Sequence, residues 1–358
     1  MIEIGELVRQ ATGADQEAQH AAQVLIELGT DALPAVLDAL AKASWITPVG
    51  QLPKVISRIH GPDALPLLMQ HINAEQRDLR VSCIQALGRS RDKRALKPLL
   101  ALISGNDHLV TTRASAAEAL GNLGIEASIK ALNSAVDEAA GEDSDAEEWP
   151  MLLVSAATAL AKIGQHSGFD KVVALLDVDF APTRALAVHA LSLLTGPTML
   201  DALGRGISDE HAEVRMEAID PLFLLGTTDS VNLLVDHLDD SDDEVADRSR
   251  VRAADCLGID ANGDASTIEA TWRKRRPDFA DGVCHRLGRP IEVTAVADLL
   301  AAETPRPEMA DELRTITGLD IDELVEAGQI DEARAQVNQL DLPTGALCKW
   351  GHQVPLPG

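Results

Sequence analysis

Apolar residues recur at helical spacing through most of the chain, in pairs of short segments with a glycine between them. Residues 208–240 show this arrangement most fully. Each of their two segments repeats apolar residues along one helix face, and the residues are Val214, Ala218, Leu222 and Leu225 before Gly226, then Val231, Leu234 and Leu238 after it. Neither helix can bury such a stripe alone, so the pattern predicts helix pairs that stack on their neighbours.

Glycines repeat along the chain with a period typical of stacked helix pairs. Eight of them follow one another at intervals of 27 to 40 residues, and each is predicted to end the first helix of a pair: Gly29, Gly61, Gly88, Gly124, Gly164, Gly196, Gly226 and Gly258. The second helices keep the same register, with apolar residues at i, i+3 and i+7, as at Leu96, Leu99 and Ile103. The sequence therefore predicts an all-α solenoid of about eight helical hairpins.

The repeats resemble the HEAT-like repeat, in the short bacterial form first named for phycobilisome lyases. Three stretches carry the likeness: Asp78-Leu79-Arg80 with Ala86-Leu87-Gly88, Arg113 with Ala119-Leu120-Gly121-Asn122-Leu123-Gly124, and Glu213-Val214-Arg215. The resemblance implies a right-handed α-solenoid whose second helices line a concave face. Because this repeat serves scaffolds, inhibitors, lyases and DNA-repair enzymes alike, it implies a fold and leaves the function open.

The repeat pattern ends near Gly258, which predicts a HEAT-like solenoid at residues 1–258 and a C-terminal segment at residues 259–358. The segment is similar to the C-terminal part of uncharacterised bacterial HEAT-repeat proteins that are linked with type VI secretion gene clusters. The residues that carry this similarity are Trp272, Phe279, the turn Arg286-Leu287-Gly288-Arg289-Pro290, and the later pairs Glu312-Leu313 and Thr317-Gly318. Since a solenoid must cover its last apolar face, the segment is predicted to be a helical cap.

The chain is strongly acidic, with a formal net charge of −26. This sign disfavours nucleic acid as a partner, because lysine and arginine supply most of the affinity for phosphates. No apolar run reaches the length of a membrane span, and the first residues lack a signal-peptide pattern. The four scattered cysteines favour a reducing compartment. We therefore expect a cytoplasmic protein that binds neither nucleic acid nor membrane, and the sequence does not predict its oligomeric state.

Charge is distributed unevenly along the chain. Basic residues predict a locally positive region around one inter-helix turn: Arg77, Arg80, Arg89, Arg91, Lys93, Arg94, Lys97, Arg113 and Lys130. Acidic residues concentrate in two runs, residues 138–148 and 236–247. Both runs are interpreted as solvated turns that cap the helices after them. For the second run, the alternative interpretation is that it borders a binding groove.

The register of the second helices predicts which of their residues point outward. By the HEAT resemblance, this outward row lies on the concave face, and its charge runs from positive to negative. Together with two arginines of the basic turn, the predicted partner-binding ridge is Arg91, Arg94, Lys97, Lys130, Asp170, Asp201, Arg205, Asn232 and Asp236. Such a charge gradient suits an extended or helical protein segment, because electrostatics sets its orientation and encounter rate. The alternative is that these are ordinary exposed polar positions.

The residue patterns that would indicate a chemistry are incomplete. Residues 260–265 begin like a calcium loop, but Ala265 replaces the required glycine and Thr271 replaces the bidentate glutamate. Four candidate zinc ligands have spacings unlike those of zinc knuckles: Cys284, His285, Cys348 and His352. The chain also lacks the His-Glu dipeptides of a di-iron HEAT-repeat hydroxylase and the cationic, tryptophan-lined cleft of a HEAT-like DNA glycosylase. We predict no catalytic residues, no metal and no cofactor.

These observations favour a non-enzymatic scaffold or adaptor that holds another protein along the ridge, and the acidity of the chain makes a basic partner a candidate. A second hypothesis is an immunity-type inhibitor whose acidic surface at residues 236–247 neutralises a basic toxin or nuclease. A third hypothesis is an accessory subunit of a phycobilin-lyase-like enzyme.

Overall fold

The computed structural model describes residues 3–44, 46–105, 109–142, 148–260, 264–298, 308–319, 321, 324–325 and 328–355. Its internal contacts divide the chain into two compact units. Unit 1 consists of Met1–Glu142 and Met151–Ile163, and unit 2 consists of Asp143–Pro150 and Gly164–Gly358. The boundary predicted at residue 258 marks a change of sequence pattern within unit 2 and stays a prediction.

Unit 1 consists of helix pairs that follow a short N-terminal helix. The helices are α1 (Ile4–Gln10), α2 (Gln16–Leu28), α3 (Leu33–Ala41), α4 (Leu52–Arg58), α5 (Leu65–Met69), α6 (Arg77–Arg89), α7 (Leu96–Ser104), α8 (Val110–Leu123), α9 (Ile129–Ala139) and most of α10 (Glu148–Lys162). The sequence pattern did not predict α1. The first helix of each pair has an even number from α2 onward, and the second helix has the next odd number.

Unit 2 continues the pairs and ends in a mixed segment. Its helices are α11 (Phe169–Ala174), α12 (Ala181–Ala190), α13 (Met199–Ile207), α14 (Ala212–Leu225), α15 (Thr228–Val235), α16 (Asp243–Leu257), α17 (Ala265–Arg275), α18 (Val293–Asp298), α19 (Glu308–Thr317) and α20 (Ile330–Val337). Its strands are β1 (His285–Arg286), β2 (Arg289–Pro290), β3 (Cys348–Lys349) and β4 (His352–Gln353). The order of helix pairs confirms the predicted all-α solenoid.

Glycine ends several first helices, as the repeat pattern predicts. Gly124, Gly226 and Gly258 follow α8, α14 and α16 directly, with φ of 68°, 56° and 64°. Glycine adopts this left-handed conformation without the steric cost of a Cβ. At the other end of α16, the Asp242 side chain accepts hydrogen bonds from the first-turn amides, which confirms a capping role for part of the second acidic run.

The prediction that Gly88 ends a first helix is wrong. Gly88 lies inside α6, where a Cβ built on it would stand 2.6 Å from the Cα of Ala119, and Gly121 approaches Ala159 in the same way. Three residues after Gly88, Arg91 takes the left-handed position with φ of 51°, just as Gly124 does three residues after Gly121. Gly88 and Gly121 therefore set the close approach of neighbouring first helices, and an arginine follows the end of α6.

The prediction for Gly196 is also wrong. The helix before it, α12, already ends at Ala190, and Gly196 does not have a positive φ. A Cβ on Gly196 would overlap the ring of Phe169, the first residue of α11. Glycine is therefore needed here because an aromatic ring occupies the space that any other side chain would fill.

The C-terminal segment contains two β-hairpins of the same build. β1 pairs with β2, and β3 pairs with β4, in antiparallel register. At each tip two consecutive residues have positive φ, which defines a type I′ turn: Leu287 (54°) and Gly288 (73°), then Trp350 (54°) and Gly351 (80°). The sequence pattern predicts the first turn but not the second, although a basic residue precedes both tips.

The tip of each β-hairpin covers the C-terminal end of a helix, α16 for the first and α19 for the second. The hydrogen bonds run from Leu287 N to Asp255 O (3.0 Å), Gly288 N to Cys256 O (2.8 Å), Trp350 N to Thr315 O (2.8 Å) and Gly351 N to Ile316 O (3.0 Å). The last four carbonyls of a helix receive no hydrogen bond from within that helix. The amides of the hairpin tips donate these bonds, which water would otherwise have to supply.

The second β-hairpin also reaches back to the end of α12. The Nζ of Lys349 is buried and donates to the carbonyls of Leu191 and Leu194, while the indole nitrogen of Trp350 donates to the carbonyl of Leu193. The C-terminal segment therefore packs against first helices well before the last pair. Its role is wider than the predicted cap over one apolar face.

Candidate partner-binding surface

Four first helices carry a buried arginine at their fourth position, and each arginine is bound within the fold. These residues are Arg80, Arg113, Arg184 and Arg215, all at most 9% exposed. Three of them pair with a carboxylate 25 residues later: Arg113 with Glu138 (2.5 Å), Arg184 with Asp209 (2.8 Å) and Arg215 with Asp240 (2.7 Å). The side-chain hydrogen bond from Arg184 lowers the pKa of Asp209, and the bond from Arg113 lowers that of Glu138.

Arg80 differs from the other three because its side-chain partner is a hydroxyl. Its Nε donates to Oγ1 of Thr112 at 3.0 Å, and its Nη1 donates to the carbonyls of Ala74 and Glu75. Arg184 and Arg215 make the same pair of carbonyl bonds to the turns before their own helices. Arg80, Arg184 and Arg215 thus tie their helices both to the preceding turn and to a later turn or helix, whereas Arg113 donates to the carbonyl of Ile103 in α7.

The predicted positive region loses several members to these internal bonds. Arg80 and Arg113 are buried, so they contribute no surface charge of the kind that the sequence pattern indicated. Arg94 is exposed but pairs with Asp92 at 2.7 Å, and the resulting hydrogen bond lowers the pKa of that carboxyl. These arginines lose their surface charge because a cation near a helix start is attracted to the carbonyls and carboxylates of adjoining turns.

In unit 1, the predicted ridge residues lie at the basic turn and on the second helices α7 and α9. Arg91 precedes the 3-10 turn before α7 and Arg94 lies within that turn, while Lys97 and Lys130 stand at the second positions of α7 and α9. All four are exposed. Within the described part of unit 1, Lys97 and Lys130 have no hydrogen bond or ion pair. Their charges therefore serve no contact that holds these helices together.

In unit 2, the predicted ridge residues lie on α11, α13 and α15, except for Asp236, which directly follows α15. Asp170, Asp201 and Asp236 are exposed, and the described residues provide none of them with a side-chain hydrogen bond or ion pair. Arg205 is exposed and pairs with Asp177 at 2.5 Å. Asn232 is half-buried, and its Oδ1 accepts a hydrogen bond from the indole nitrogen of Trp272 at 2.9 Å. Asp170 on α11, Asp201 on α13 and Asp236 directly after α15 therefore have no side-chain hydrogen bond or ion pair among the described residues.

The acidic run at residues 236–247 divides into structural and free carboxylates. Asp240 is buried against Arg215, and Asp242 caps α16. Asp239 and Asp247 both lie beside Arg250, at 3.3 Å and 2.8 Å. Part of the run therefore stabilises the fold. In the other acidic run, Glu138 pairs with Arg113, and residues 143–147 lie outside the described part of the chain.

A cleft of about 470 Å³ lies within unit 2, where α19 meets the first helices α12, α14 and α16. Each carboxylate that lines it has a basic partner: Glu217 with His189 (2.8 Å), Asp220 with Arg248 (2.5 Å) and Arg252 (2.7 Å), Asp311 with Arg314 (2.5 Å), and Glu312 with Arg286 (2.8 Å). The Arg286 guanidinium also stacks 4.0 Å from the centre of the Phe223 ring. These charges compensate one another, so the cleft has no carboxylate left for a cationic ligand.

Three of the four residues considered for metal binding, Cys284, His285 and Cys348, are buried in the fold. Cys284 and Cys348 are buried free thiols, and burial raises the pKa of Cys284 to about 11. His285 stacks on Phe279 with the ring centroids 4.2 Å apart, while His352 is exposed. Among the residues that the structure describes, no three His, Cys, Asp or Glu side chains group as metal ligands. Residues 261–263 of the calcium-like stretch lie outside that description.

Among the described residues, no helix is both long enough and apolar enough to cross a membrane.

Comparison with known proteins shows a similarity in two segments of the chain. A family model of HEAT repeats matches residues 65–149 and 169–255, which together make up just under half of the chain. These segments contain α5 to α9 and α11 to α15 in full, including the four buried arginines. No curated protein matches the sequence.

Solved structures resemble the chain at low sequence identity. Human deoxyhypusine hydroxylase is 16% identical over 64% of this chain and 96% of that chain, with a TM-score of 0.30. The CpcE–CpcF complex of phycocyanin lyase from Nostoc sp. PCC7120 is 14% identical over 76% and 95%, with a TM-score of 0.34. An archaeal HEAT-like repeat protein from Thermococcus onnurineus NA1 is 16% identical over 74% and 98%, with a TM-score of 0.36. At these scores the likeness carries no argument about function.

Proposed function

We propose that this chain, which contains HEAT repeats, is a non-enzymatic scaffold or adaptor that binds another polypeptide through the charged ridge of its second helices. The proposal extends the general role of HEAT repeats in protein–protein interaction to a defined set of side chains. Its binding residues are the exposed members of the ridge that have no internal ion pair, in unit 1 Arg91, Lys97 and Lys130 and in unit 2 Asp170, Asp201 and Asp236.

The observation that supports the proposal most is a contrast between the arginines that the repeats share and the unpaired charges of the ridge. On the first helices, the arginines that the repeats share are buried and bound to carboxylates or carbonyls of the same chain. The ridge charges named above are exposed and have no partner among the described residues. Charges that do not stabilise the fold remain available for a partner, where they set orientation and association rate.

The inhibitor hypothesis has less support than the scaffold hypothesis. It relies on the acidic run at residues 236–247, where Asp240 and Asp242 are occupied by an internal ion pair and a helix cap. Asp236 remains free, and it already belongs to the ridge. The accessory-lyase hypothesis and the connection with type VI secretion rest on resemblance alone, so the scaffold is the function that the geometry favours.

The proposal can be tested by affinity capture from extracts of the source cells with charge-reversed variants. The ridge variant carries Asp201→Lys and Asp236→Lys. The control carries Glu118→Lys and Glu213→Lys, which make the same change of net charge at exposed positions of the first helices α8 and α14. Circular dichroism melting checks that both variants remain folded.

We expect the wild type and the control to retain the same partner, and the ridge variant to lose most of it at low salt. The intact mass of the recovered partner should be unchanged by incubation with the chain, because the proposed role is binding without a reaction. Equal capture by the ridge variant would contradict the proposed surface. A change of mass that requires this chain would contradict the non-enzymatic role.

A further inference from the structure

The second β-hairpin joins two walls of the cleft in unit 2. Leu193, just beyond the end of α12, and Thr315 of α19 both line this cleft. Trp350 binds both residues: its indole nitrogen donates to the carbonyl of Leu193 (3.0 Å), and its main-chain nitrogen donates to the carbonyl of Thr315 (2.8 Å). A single residue of the hairpin tip therefore connects α19 to the end of α12.

Lys349, the residue before Trp350, lies in a site that matches an uncharged amine. It is 3% exposed, and its Nζ donates to the carbonyls of Leu191 and Leu194. A charged lysine amine has three N–H groups to donate, whereas the neutral amine has two. The described residues supply two acceptors and no carboxylate partner for this amine. Loss of the proton therefore costs the site no hydrogen bond.

The groups around the Lys349 amine do not compensate a positive charge. Among the described residues, the titratable groups that interact with it are the thiol of Cys284, at the start of the first β-hairpin, and the imidazole of His166, which precedes α11. The carboxylates at the cleft side of α19 pair with arginines: Asp311 with Arg314, and Glu312 with Arg286. Burial therefore dominates, and it lowers the pKa of the amine to about 7.

Undocking of this hairpin must take up a proton over part of the pH range. In water a lysine amine keeps its proton to about pH 10, whereas the docked amine is neutral above about pH 7. Between these values the undocked hairpin binds more protons, so a rise in pH stabilises the docked form. Below about pH 7 the amine is protonated in both forms, and the dependence ends.

The hairpin is small enough to undock as a unit. β3 and β4 contain two residues each and form a sheet of two strands within the described chain. A hairpin of this size is not stable alone in water. It is therefore ordered through its contacts with α12, α19 and the first β-hairpin, and it loses its order when they break.

We propose that the second β-hairpin, residues 347–354, is a clasp on the cleft: it releases α19 from the end of α12 by taking up a proton at Lys349, and it closes when that proton is lost. Release breaks the bonds of Trp350 to Leu193 and Thr315, so the cleft opens at this end. The clasp acts within unit 2 and does not depend on a partner at the ridge. The pH thereby sets how often the cleft is open.

Cysteine labelling of the full-length protein can test the clasp. Cys348 is buried in β3 and becomes accessible when the hairpin undocks, whereas Cys256 is buried in α16 of the same unit. Native protein is treated with iodoacetamide at pH 7.5 and 8.5, and mass spectrometry of its peptides gives the labelling rate of each thiol. The rate of the same thiol in denatured protein, divided by the native rate, is its protection. The comparison variants are Lys349→Met and Trp350→Phe.

We expect Cys348 to be less protected than Cys256, because the hairpin undocks while α16 stays folded. From pH 7.5 to 8.5, the protection of Cys348 in the wild type should rise about eightfold relative to that in Lys349→Met. Ionisation of the exposed thiols is common to both proteins and cancels in this ratio. Trp350→Phe keeps Lys349 and loses the indole bond. It should lower the protection of Cys348 about fivefold at both pH values and retain the pH dependence of the wild type.

Equal protection of Cys348 and Cys256 would overturn the proposal, because the hairpin would then undock only when the whole unit unfolds. The same pH dependence in the wild type and in Lys349→Met would overturn the role of the proton. If Lys349→Met does not fold, Trp350→Phe decides the matter. Unchanged protection of Cys348 in that variant, or a protection that does not rise with pH, would contradict the clasp.

Discussion

The guanidinium of Arg215 and the carboxylate of Asp240 form a doubly hydrogen-bonded ion pair, with Nη2 2.7 Å from Oδ1 and Nε 3.0 Å from Oδ2. Their side chains are 11% and 6% exposed. Arg215→Met would leave the Asp240 carboxylate buried without its cation. We expect the free energy of unfolding to fall by about 3–5 kcal/mol, measured by urea denaturation, because an unpaired buried charge is costly.

The matched control for this ion pair is Arg94→Met. Arg94 also pairs with an aspartate, Asp92, but its side chain is 54% exposed. Water and salt screen such a pair, so we expect no measurable change in stability. Equal losses in the two variants would show that the buried arginines do not hold the helix pairs together in the way described above.

Gly88→Ala and Gly204→Ala are expected to have opposite effects on stability. A Cβ at position 88 would stand 2.6 Å from the Cα of Ala119, whereas a Cβ at position 204 has Leu233 Cδ1 as its nearest neighbour at 3.8 Å. We expect the first change to cost about 1–3 kcal/mol by overpacking. The second should stabilise α13 by up to about 1 kcal/mol, because alanine favours a helix over glycine. Thermal denaturation of both variants would show whether each substitution lowers or raises the stability.

Arg91→Gly is expected to separate stability from partner binding. Arg91 has a φ of 51°, a conformation that costs a residue with a Cβ roughly 1–2 kcal/mol. Glycine should recover part of this strain and raise the free energy of unfolding. The same change removes an exposed ridge cation, so binding of the captured partner should weaken. A variant that lost stability would contradict the account of Arg91 as a strained residue at a helix end.

The buried Lys349 should make stability depend on pH. Burial lowers the pKa of its amine to about 7, whereas an unfolded lysine keeps its proton to near pH 10. The unfolded state therefore binds more protons between these values, and stability rises with pH. From pH 7.5 to 8.5 we expect wild-type stability to rise by about 1 kcal/mol relative to Lys349→Met. Parallel stability curves for the two proteins would contradict this assignment.

Helix ends could be predicted from the sequence where a residue's own chemistry decides the conformation. Gly226 and Gly258 end helices because they lack a Cβ, and Asp242 begins one because its carboxylate accepts from free amides. Gly88 looked the same in the sequence and has a different role. Whether a glycine ends a helix or admits a neighbouring helix depends on what packs against it, which in this case is Ala119 from the next first helix.

The ridge could be predicted only in part, for a similar reason. The helical period indicates which residues point outward, and eight of the nine predicted ridge residues are exposed. The period does not show which charges are bound by another turn. The sequence pattern places Arg113 in the positive surface region, whereas in the structure its side chain is buried against Glu138. The recurring 25-residue interval between arginine and carboxylate was present in the sequence, and it would have identified three of these internal pairs.

The second β-hairpin was missed because its residues differ from those of the first. Trp350 stands where Leu287 does, and Lys349 where Arg286 does. In both hairpins, a basic residue is followed by two residues in the left-handed conformation, and the second of these is glycine. This short pattern occurs twice in the C-terminal segment and marks both hairpin tips. No local signal indicates that Lys349 would bind the end of α12, because its acceptors lie more than 150 residues away.

The central claim is that a partner lies on the second helices while the first helices hold the fold. Site-specific photo-crosslinking tests it most directly, with a photoreactive amino acid placed in turn at Lys97, Lys130, Asp201 and Asp236, and at the control positions Glu118 and Glu213. We predict crosslinks to the captured partner from the second-helix positions and none from the two first-helix positions. Crosslinks from positions 118 and 213, with none from the other four, would contradict the account.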